Sequence, residues 1–215
     1  MKGDILIINE NHKKAAKQSV EIMLEDIKAS EGKYMITVAG ESGAGKSEIA
    51  ASIAEILEEK GMKCFIFQQD DYFVYPPKSN AAMRVKDISH VGLSEVRLDL
   101  IDEQLQDILD GKEEITKPLV IFDEDRIDKE TVSIKDAKVF IAEGTYTTSL
   151  NNIDTHIFID RNYIDTLEAR KERNREKQDE FLEKILKIEH EIITALVSRA
   201  DIIITKDFNA IKVEK

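Results

Sequence analysis

Residues 40–47 read Gly-Glu-Ser-Gly-Ala-Gly-Lys-Ser, which is the complete phosphate-binding pattern G-x-x-x-x-G-K-[ST]. Glycines permit the tight turn that points several backbone N–H groups at one anion. In this P-loop pattern the lysine reaches the β- and γ-phosphates, and the final serine hydroxyl ligates Mg²⁺. The positive end of the following helix dipole adds to the same site. The expected phosphate-binding residues are Gly40, Ser42, Gly43, Ala44, Gly45, Lys46, Ser47 and Glu48.

The segments on both sides of this loop match the setting that the motif requires. Residues 34–39 form a short apolar run with β-branched members, which predicts a buried strand. Residues 48–60 carry isoleucine and leucine at helical spacing, and Gly61 is a typical helix end. Because a strand, a glycine-rich turn and a helix follow one another, a chance Gly/Ser turn explains the match poorly.

The composition predicts one domain, or one domain with an inserted lid. The chain has 215 residues, of which 42% are hydrophobic, and this fraction is sufficient for a packed core. No apolar run approaches the roughly 20 residues of a membrane helix. The N-terminus lacks the features of a signal peptide, and the single cysteine, Cys64, lies in an apolar run as a small core residue. We therefore expect a cytoplasmic protein.

The net charge of −12 restricts the classes of partner. A surface this acidic repels nucleic acid and anionic membranes, so we expect neither as a partner. It also repels nucleotides, which would have to bind in a local positive pocket. The few clustered arginines of the chain are therefore informative.

The hydrophobic pattern along the chain predicts alternating strands and helices. Strands are predicted at residues 4–9, 34–39, 62–68, 139–142, 156–160 and 201–205, and helices at 12–30, 48–60, 94–109 and 162–199, with a break near Lys177. Residues 74–92 lose this periodicity and are interpreted as a substrate loop, and residues 119–135 as a possible hairpin insert. This order predicts an α/β fold of the P-loop NTPase type, a mainly parallel sheet with helices on both faces.

Acidic residues follow two of the predicted strands. Asp70 and Asp71 come after the strand that follows the P-loop helix, and Glu143 comes after the next core strand. Ligands of such sheets bind beyond the carboxyl ends of the strands, so these side chains are expected to converge. An aspartate there can accept the proton of an attacking hydroxyl, and Glu143 can ligate Mg²⁺. The alternative interpretation is a pair of turn residues and a loop carboxylate.

Three arginines, Arg170, Arg173 and Arg175, lie in the charged segment that we interpret as a lid, residues 165–180. Arg170 and Arg173 are three residues apart and share a helix face. They could clamp phosphates and offset the charge of a transition state. Neighbouring glutamates equally permit surface ion pairs, and the composition alone does not decide between the two.

Taken in order, these pieces resemble the uridine kinase and phosphoribulokinase family of P-loop kinases. The matching pieces lie at residues 40–47, 69–73 (Gln-Asp-Asp-Tyr-Phe), 141–146, 156–160, 170–173 and 200–204. The resemblance implies ATP and Mg²⁺ as cofactors and Asp70 as the catalytic base. It implies that Lys46, Arg170 and Arg173 act on the phosphates. Ser47 and Glu143, together with Asp70, are the implied metal ligands.

The phosphoryl acceptor is left open by the sequence. Residues 122–126 (Phe-Asp-Glu-Asp-Arg) depart from the uridine kinase pattern, which carries a Tyr-Asp segment followed by His and Arg. Acceptor contacts are expected from Asp71, Tyr72, Tyr75, Arg84 and Arg126, and either Asp70 or Asp71 can be the base. The favoured function is a kinase for a hydroxyl of a small molecule. A nucleotide-dependent regulatory ATPase and an inactive binding module are the alternatives, and a homo-oligomer is possible.

Overall fold

The computed structural model describes residues 6–173 and 177–214, without the side chain of Arg173. Within this part the helices are α1 Glu10–Ala29, α2 Lys46–Glu59, α3 Pro77–Lys86, α4 Leu98–Leu109, α5 Leu167–Arg173 and α6 Glu180–Leu196. The strands are β1 Tyr34–Gly40, β2 Cys64–Gln68, β3 Glu114–Ile121, β4 Arg126–Ser133, β5 Val139–Gly144, β6 Thr155–Ile159, β7 Ile202–Ile204 and β8 Ala210–Lys212.

The main sheet has the strand order β2-β5-β1-β6-β7-β8. All neighbouring pairs are parallel except β7 and β8, which pair antiparallel. β1, which leads into the P-loop, lies between β5 and β6, and all seven of its residues are buried. An uninterrupted buried run is typical of a parallel strand covered on both faces. The predicted mainly parallel α/β sheet is confirmed.

Two apolar cores cover the two faces of this sheet, because alternate residues of each strand point to opposite sides. Ile36 and Val38 of β1 pack in the first core, where α1 and α2 also contribute side chains. Met35 and Ala39 of the same strand pack in the second core, together with α4 and the strand β3. The P-loop is therefore fixed at the end of a strand that is held from both sides.

The first strand predicted from the sequence is not formed by the residues that the structure describes there. Residues 6–8 have no regular structure, and Asn9 is the N-cap of α1. The Asn9 Oδ1 atom accepts hydrogen bonds from the backbone N–H groups of Asn11 (3.0 Å) and His12 (3.1 Å). Such a cap stabilises the first helical turn, so the helix, rather than a strand, determines the structure of this segment. Residues 1–5 lie outside the described part.

The predicted loop at residues 74–92 contains a helix, α3. Pro77 occupies the first turn, where its missing N–H costs no hydrogen bond. The helix is capped from a distant part of the chain. Asp125, in the β3–β4 turn, accepts hydrogen bonds from the backbone N–H of Lys78 (2.6 Å) and the hydroxyl of Ser79 (2.9 Å).

Strands β3 and β4 form an antiparallel hairpin outside the main sheet. It occupies residues 114–133, where the sequence predicted a possible hairpin insert at 119–135. Leu119 faces Asp128, and Thr131 faces Thr116. The described residues contain no helix that is long and apolar enough to cross a membrane.

Candidate active site

The P-loop has the backbone conformation that its glycines predict. Gly43 (φ 76°) and Gly45 (φ 98°) lie in the left-handed region of backbone conformation, which residues other than glycine rarely adopt. A Cβ atom on Gly43 would lie 2.9 Å from Cγ of Arg170, and one on Gly45 would lie 2.9 Å from Nε2 of His12. The loop is therefore packed closely on both sides. Helix α2 begins directly after it, at Lys46.

A cavity of about 320 Å³ opens at the carboxyl ends of the strands. Gln68 and Val38 both pair with Glu143 across the sheet, so the P-loop, Glu143 and the turn that carries Asp70 follow three adjacent strands. The predicted site residues that line the cavity are Ser42, Gly43, Lys46, Ser47, Asp70, Arg84, Glu143 and Arg170. The sheet thus brings together the phosphate, metal, base and arginine candidates.

Lys46 and Ser47 lie at the start of α2, facing the strand ends. The ammonium group of Lys46 donates a hydrogen bond to the backbone oxygen of Glu41 (3.0 Å). An ammonium group has three N–H donors, so two of them remain for phosphate oxygens.

Glu143 is buried beside other charged groups. Burial and the negative charge of Asp70 raise the pKa of Glu143 to about 7, whereas Lys46 and a hydrogen bond with Ser47 act in the opposite direction. Two carboxylates and one hydroxyl therefore lie close together, with a deficit of positive charge. Oxygen donors of this kind suit Mg²⁺, which takes only one or two protein carboxylates and completes its shell with phosphates and water. Among the described residues, no group of three or more His, Cys, Asp or Glu could hold a metal ion.

Asp70 is carried by a 3₁₀ turn, Gln69–Tyr72, whose other residues are tied to the surrounding elements. Before Asp70, the Gln69 Oε1 atom accepts a hydrogen bond from the backbone N–H of Tyr146 (2.7 Å). After it, Asp71 accepts hydrogen bonds from the Lys117 ammonium (3.0 Å) and from the backbone N–H of Val120 (2.9 Å). The turn is therefore fixed on one side to the end of β5 and on the other to β3.

Arg170 is buried against the P-loop rather than solvated. Its Nη1 atom donates to the oxygen of Tyr163 and to the hydroxyl of Thr166, both at 2.6 Å. The Thr166 hydroxyl in turn donates to the oxygen of Ser42 (2.8 Å). The guanidinium of Arg170 is therefore buried beside the P-loop. The side chain of Arg173 and all of Arg175 lie outside the described residues.

Four of the five expected acceptor residues do not line the cavity. Both carboxylate oxygens of Asp71 bind β3, and Tyr72 is fully buried with its hydroxyl donating to Gln104 (2.6 Å). Tyr75 is exposed, with its ring near His90. Arg126 pairs with Glu124 and Asp128 on the hairpin. The structure thus gives these four side chains other contacts, and Arg84 is the one that faces the cavity.

Several side chains of the site gave no signal in the sequence. Glu41 occupies a variable position of the P-loop, yet it is buried and accepts hydrogen bonds from His190 Nδ1 (2.6 Å) and the backbone N–H of Tyr163 (2.5 Å). Glu189 of α6 and Asn80 of α3 line the cavity. The helical spacing around Glu189 was visible in the sequence, whereas the segment that contains Asn80 was interpreted as a loop. The direction in which each helix faces depends on packing between distant segments.

A model of the phosphoribulokinase/uridine kinase family matches residues 35–205. The chain belongs to this family. The resemblance seen in the motifs is thereby confirmed. A bifunctional alpha-galactosidase/sucrose kinase from Mediterraneibacter gnavus is 28% identical over 192 residues, which cover 83% of this chain and 20% of that protein. The chain thus spans about a fifth of the length of that relative.

Solved structures share the fold at low sequence identity. A possible uridine kinase from Bacillus stearothermophilus is 18% identical, with a TM-score of 0.57 over 87% of this chain and 97% of that one. The phosphoribulokinase from Rhodobacter spheroides is 14% identical, with a TM-score of 0.63 over 82% and 71%. D-glycerate 3-kinase from Cryptococcus neoformans is 12% identical, with a TM-score of 0.64 over 92% and 99%. These likenesses confirm the predicted P-loop fold.

Proposed function

We propose that the protein is an ATP- and Mg²⁺-dependent kinase that transfers the γ-phosphoryl group of ATP to a hydroxyl of a small molecule. The observation that carries this proposal is the convergence of the P-loop, Asp70, Glu143 and Arg170 on one cavity. A P-loop alone would serve an ATPase equally well. A carboxylate opposite the loop, in an otherwise rigid turn, is what transfer to a hydroxyl additionally needs.

In this proposal the donor is held by groups that supply positive charge. The backbone N–H groups of the P-loop and the start of α2 receive the phosphates, and the Lys46 ammonium adds a full charge. Arg170, held against Gly43 of the loop, neutralises charge that develops on the transferred group. These cations offset the repulsion that a chain of net charge −12 exerts on a nucleotide.

Ser47 and Glu143 would hold Mg²⁺, and the charge of the ion would offset the repulsion between Glu143 and the nearby carboxylate of Asp70. When bound, the ion neutralises phosphate charge during transfer. The raised pKa of Glu143 supports this assignment, because a buried carboxylate beside a second carboxylate fits a site for a cation.

Asp70 is proposed to accept the proton of the attacking hydroxyl. Its turn is hydrogen-bonded on both sides, so the carboxylate is positioned before the acceptor arrives. Pre-organisation of this kind lowers the entropy that is lost on reaching the reactive geometry. Asp71, whose two oxygens already bind β3, is not our candidate for the base.

The relatives differ in the acceptor that their names state, which include uridine, glycerate and sucrose. We infer a small-molecule acceptor with a free hydroxyl, and a coupled ADP-release screen over nucleosides, sugars, sugar phosphates and glycerate would identify it. The cytoplasmic location and the possible homo-oligomer stay predictions from the sequence.

The variant Asp70→Asn tests the proposed reaction. We expect kcat to fall by about 10²- to 10⁴-fold with Mg-ATP binding retained, because the amide keeps the shape but cannot take the proton. The measurement is steady-state turnover together with calorimetric titration of Mg-ATP. Lys46→Ala should instead weaken Mg-ATP binding, and Asp99→Asn, an exposed aspartate of α4, should change neither quantity. An Asp70→Asn variant with most of its turnover intact would rule out the base assignment.

A further inference from the structure

Glu41 places a carboxylate in the P-loop, the part of the site that receives phosphates. It occupies the first variable position of the motif, and its side chain is only 7% exposed. A negative charge in the loop adds to the repulsion of a nucleotide, and burial removes the hydration of the carboxylate. A neutral residue at this position would therefore suit nucleotide binding better. The contacts of the Glu41 carboxylate indicate a different role.

Both oxygens of this carboxylate accept hydrogen bonds from distant parts of the chain. Oε2 accepts from the backbone N–H of Tyr163 (2.5 Å), which lies between β6 and α5. Oε1 accepts from Nδ1 of His190 (2.6 Å), on α6. Hydrogen bonds to an ionised acceptor are stronger than those between neutral groups. Glu41 thus connects the P-loop with two segments that follow it by 122 and 149 residues.

The backbone of Tyr163 connects Glu41 with Arg170. Its N–H binds Glu41, and its oxygen accepts a hydrogen bond from Nη1 of Arg170 (2.6 Å). The same Nη1 atom donates to the hydroxyl of Thr166 (2.6 Å), and this hydroxyl donates to the backbone oxygen of Ser42 (2.8 Å). The segment that orients the guanidinium is therefore fixed to two consecutive residues of the P-loop. The attachment at Ser42 uses the backbone, whereas the attachment at Glu41 uses the side chain.

His190 brings helix α6 into the same arrangement. Besides its hydrogen bond to Glu41, its ring makes an edge contact with the ring of Tyr163, with 5.8 Å between the centroids. Helix α6 lines the cavity with several side chains, namely Leu182, Ile185, Leu186 and Glu189. One carboxylate thus holds the P-loop, the segment before α5 and a wall of the cavity relative to one another.

The side chain of Glu41 can be changed without removing the contacts that the loop itself makes. Lys46 donates to the backbone oxygen of Glu41 (3.0 Å), an acceptor that any residue at this position provides. The turn depends on the left-handed backbone of Gly43 and Gly45. Replacement of the carboxylate should therefore act on Arg170 and α6, with the phosphate-binding backbone left in place.

We propose that Glu41 is a positioning residue, which fixes Arg170 beside the P-loop through Tyr163 and is itself held by His190. This inference rests on the proposed kinase function, in which Arg170 neutralises charge on the transferred phosphoryl group. A cation with this role has to be in place before the reaction, because a displacement of about 1 Å can cost much of the rate. Glu41 contacts neither nucleotide nor acceptor in this proposal and acts through Arg170.

The variant Glu41→Ala distinguishes positioning from an effect of charge on nucleotide binding. We expect kcat to fall by about 10- to 100-fold, since the guanidinium loses its fixed place. The Kd of Mg-ATP should fall, or change by less than about threefold, because a negative charge leaves the loop. Turnover is measured by ADP release and Kd by calorimetry. The acceptor is the best of uridine, sucrose and D-glycerate, the compounds that the names of the relatives state.

Two further variants of glutamates serve as comparisons. Glu41→Gln should keep most of the turnover, because its amide oxygen can accept from Tyr163 and its amide nitrogen can donate to the other tautomer of His190. Glu55→Ala removes the same charge from an exposed position of α2 and should change neither kcat nor Kd. Wild-type kcat in Glu41→Ala, or a loss that appears only in the Kd of Mg-ATP, would overturn the proposal.

A double-variant cycle identifies Arg170 as the group through which Glu41 acts. In the background of Arg170→Ala, Glu41→Ala should lower kcat by less than about a further twofold, because the guanidinium that it positions is gone. Losses that multiply in the double variant would show that Glu41 acts by another route, and the proposal would fall.

The part played by His190 is tested by a rescue. His190→Ala should lower kcat by about three- to tenfold, and His190→Asn, whose amide can donate at the place of Nδ1, should restore it. The histidine side chain is 40% exposed, so these variants keep the proposal testable if circular dichroism shows that Glu41→Ala is unfolded. Wild-type kcat in His190→Ala would overturn the role of this residue.

Hydrogen exchange tests the connection without any acceptor. The Tyr163 amide should be protected in the wild type and in Glu41→Gln, and should exchange at least about tenfold faster in Glu41→Ala. Equal protection in Glu41→Ala would overturn the proposal whatever the turnover is. Absence of wild-type turnover with all three acceptors would contradict the kinase reaction, and the exchange of this amide would still decide whether Glu41 fixes the segment to the P-loop.

Discussion

Glu143 combines two properties that make its negative charge costly in the free protein. It is buried at the end of β5, and Asp70 lies close enough for its charge to act on it. Both effects favour the protonated form, and the pKa is raised from 4.5 to about 7. A raised carboxyl pKa means that the folded protein binds this proton more tightly than the unfolded chain does, so folding is coupled to pH.

This coupling predicts a loss of stability with rising pH in metal-free buffer. Below pH 4.5 the carboxyl is protonated in both states, and above about pH 7 it is ionised in both. Between these values the unfolding free energy of the wild type should fall by ~3 kcal/mol at most relative to Glu143→Gln. Urea unfolding of the wild type and of Glu143→Gln from pH 4 to 8, in buffer that contains EDTA, measures this difference in unfolding free energy.

The comparison needs a control variant that removes an exposed carboxylate in place of a buried one. Glu55→Gln, at an exposed position of α2, serves this purpose and should follow the wild type across the pH range. Parallel curves for the wild type and Glu143→Gln would contradict the raised pKa of Glu143.

The β3–β4 hairpin acts as a support for the turn that carries Asp70. Lys117 of β3 is buried and pairs with Asp71 (3.0 Å) and with Glu130 of β4 (2.7 Å). A second connection runs from Tyr72 to β3 through Gln104. The Tyr72 hydroxyl donates a hydrogen bond to Gln104, and the Gln104 side chain donates one to the backbone oxygen of Thr116 (2.9 Å). The two residues after Asp70 are thus both connected to the hairpin.

Lys117→Met should be strongly destabilising, because it leaves Asp71 buried without its cation. Removal of one partner of a buried ion pair costs about 3–5 kcal/mol. The double variant Lys117→Met/Asp71→Asn should recover part of this loss, since the buried charge of Asp71 is removed and the carboxylate that also loses Lys117, Glu130, is partly exposed. Urea unfolding of the wild type, of Lys117→Met, of Asp71→Asn and of the double variant measures the coupling energy between the two side chains.

An exposed lysine of the same hairpin provides the matched comparison. Lys129→Met, on β4, should change the unfolding free energy by less than about 0.5 kcal/mol. A Lys117→Met variant as stable as Lys129→Met would show that the hairpin does not depend on this pair.

The elements that the sequence predicted well are those whose signal is local. Each core strand of the parallel sheet carries its own apolar run, and the P-loop carries its own glycines, so both were found without knowledge of distant contacts. Helix α3 was missed because its cap, Asp125, lies 47 residues away from Lys78 in the chain. The supporting role of Asp71 was missed for the same reason, since Lys117 lies 46 residues further on.

At the scale of the whole molecule, both apolar cores share one sheet. Tyr34 belongs to the core that α1 and α2 cover, whereas Tyr72 and Tyr146 belong to the core on the opposite face. Neither core can lose its packing without exposing one face of β1, which contributes side chains to both. This arrangement favours a single cooperative unit, as the length of the chain also predicts.

Unfolding should therefore occur in one transition that Mg-ATP moves as a whole. Far-UV circular dichroism reports the helices and strands, and intrinsic fluorescence reports the tyrosines, because the chain has five tyrosines and no tryptophan. The two transitions should coincide in urea, and Mg-ATP at 100 times its Kd should raise the unfolding free energy by about 2.7 kcal/mol in both signals. Lys46→Ala should remove this rise and leave the coincidence intact. Two separate transitions, of which Mg-ATP shifts one, would contradict this prediction. The nucleotide site would then belong to a cooperative unfolding unit that does not include both cores.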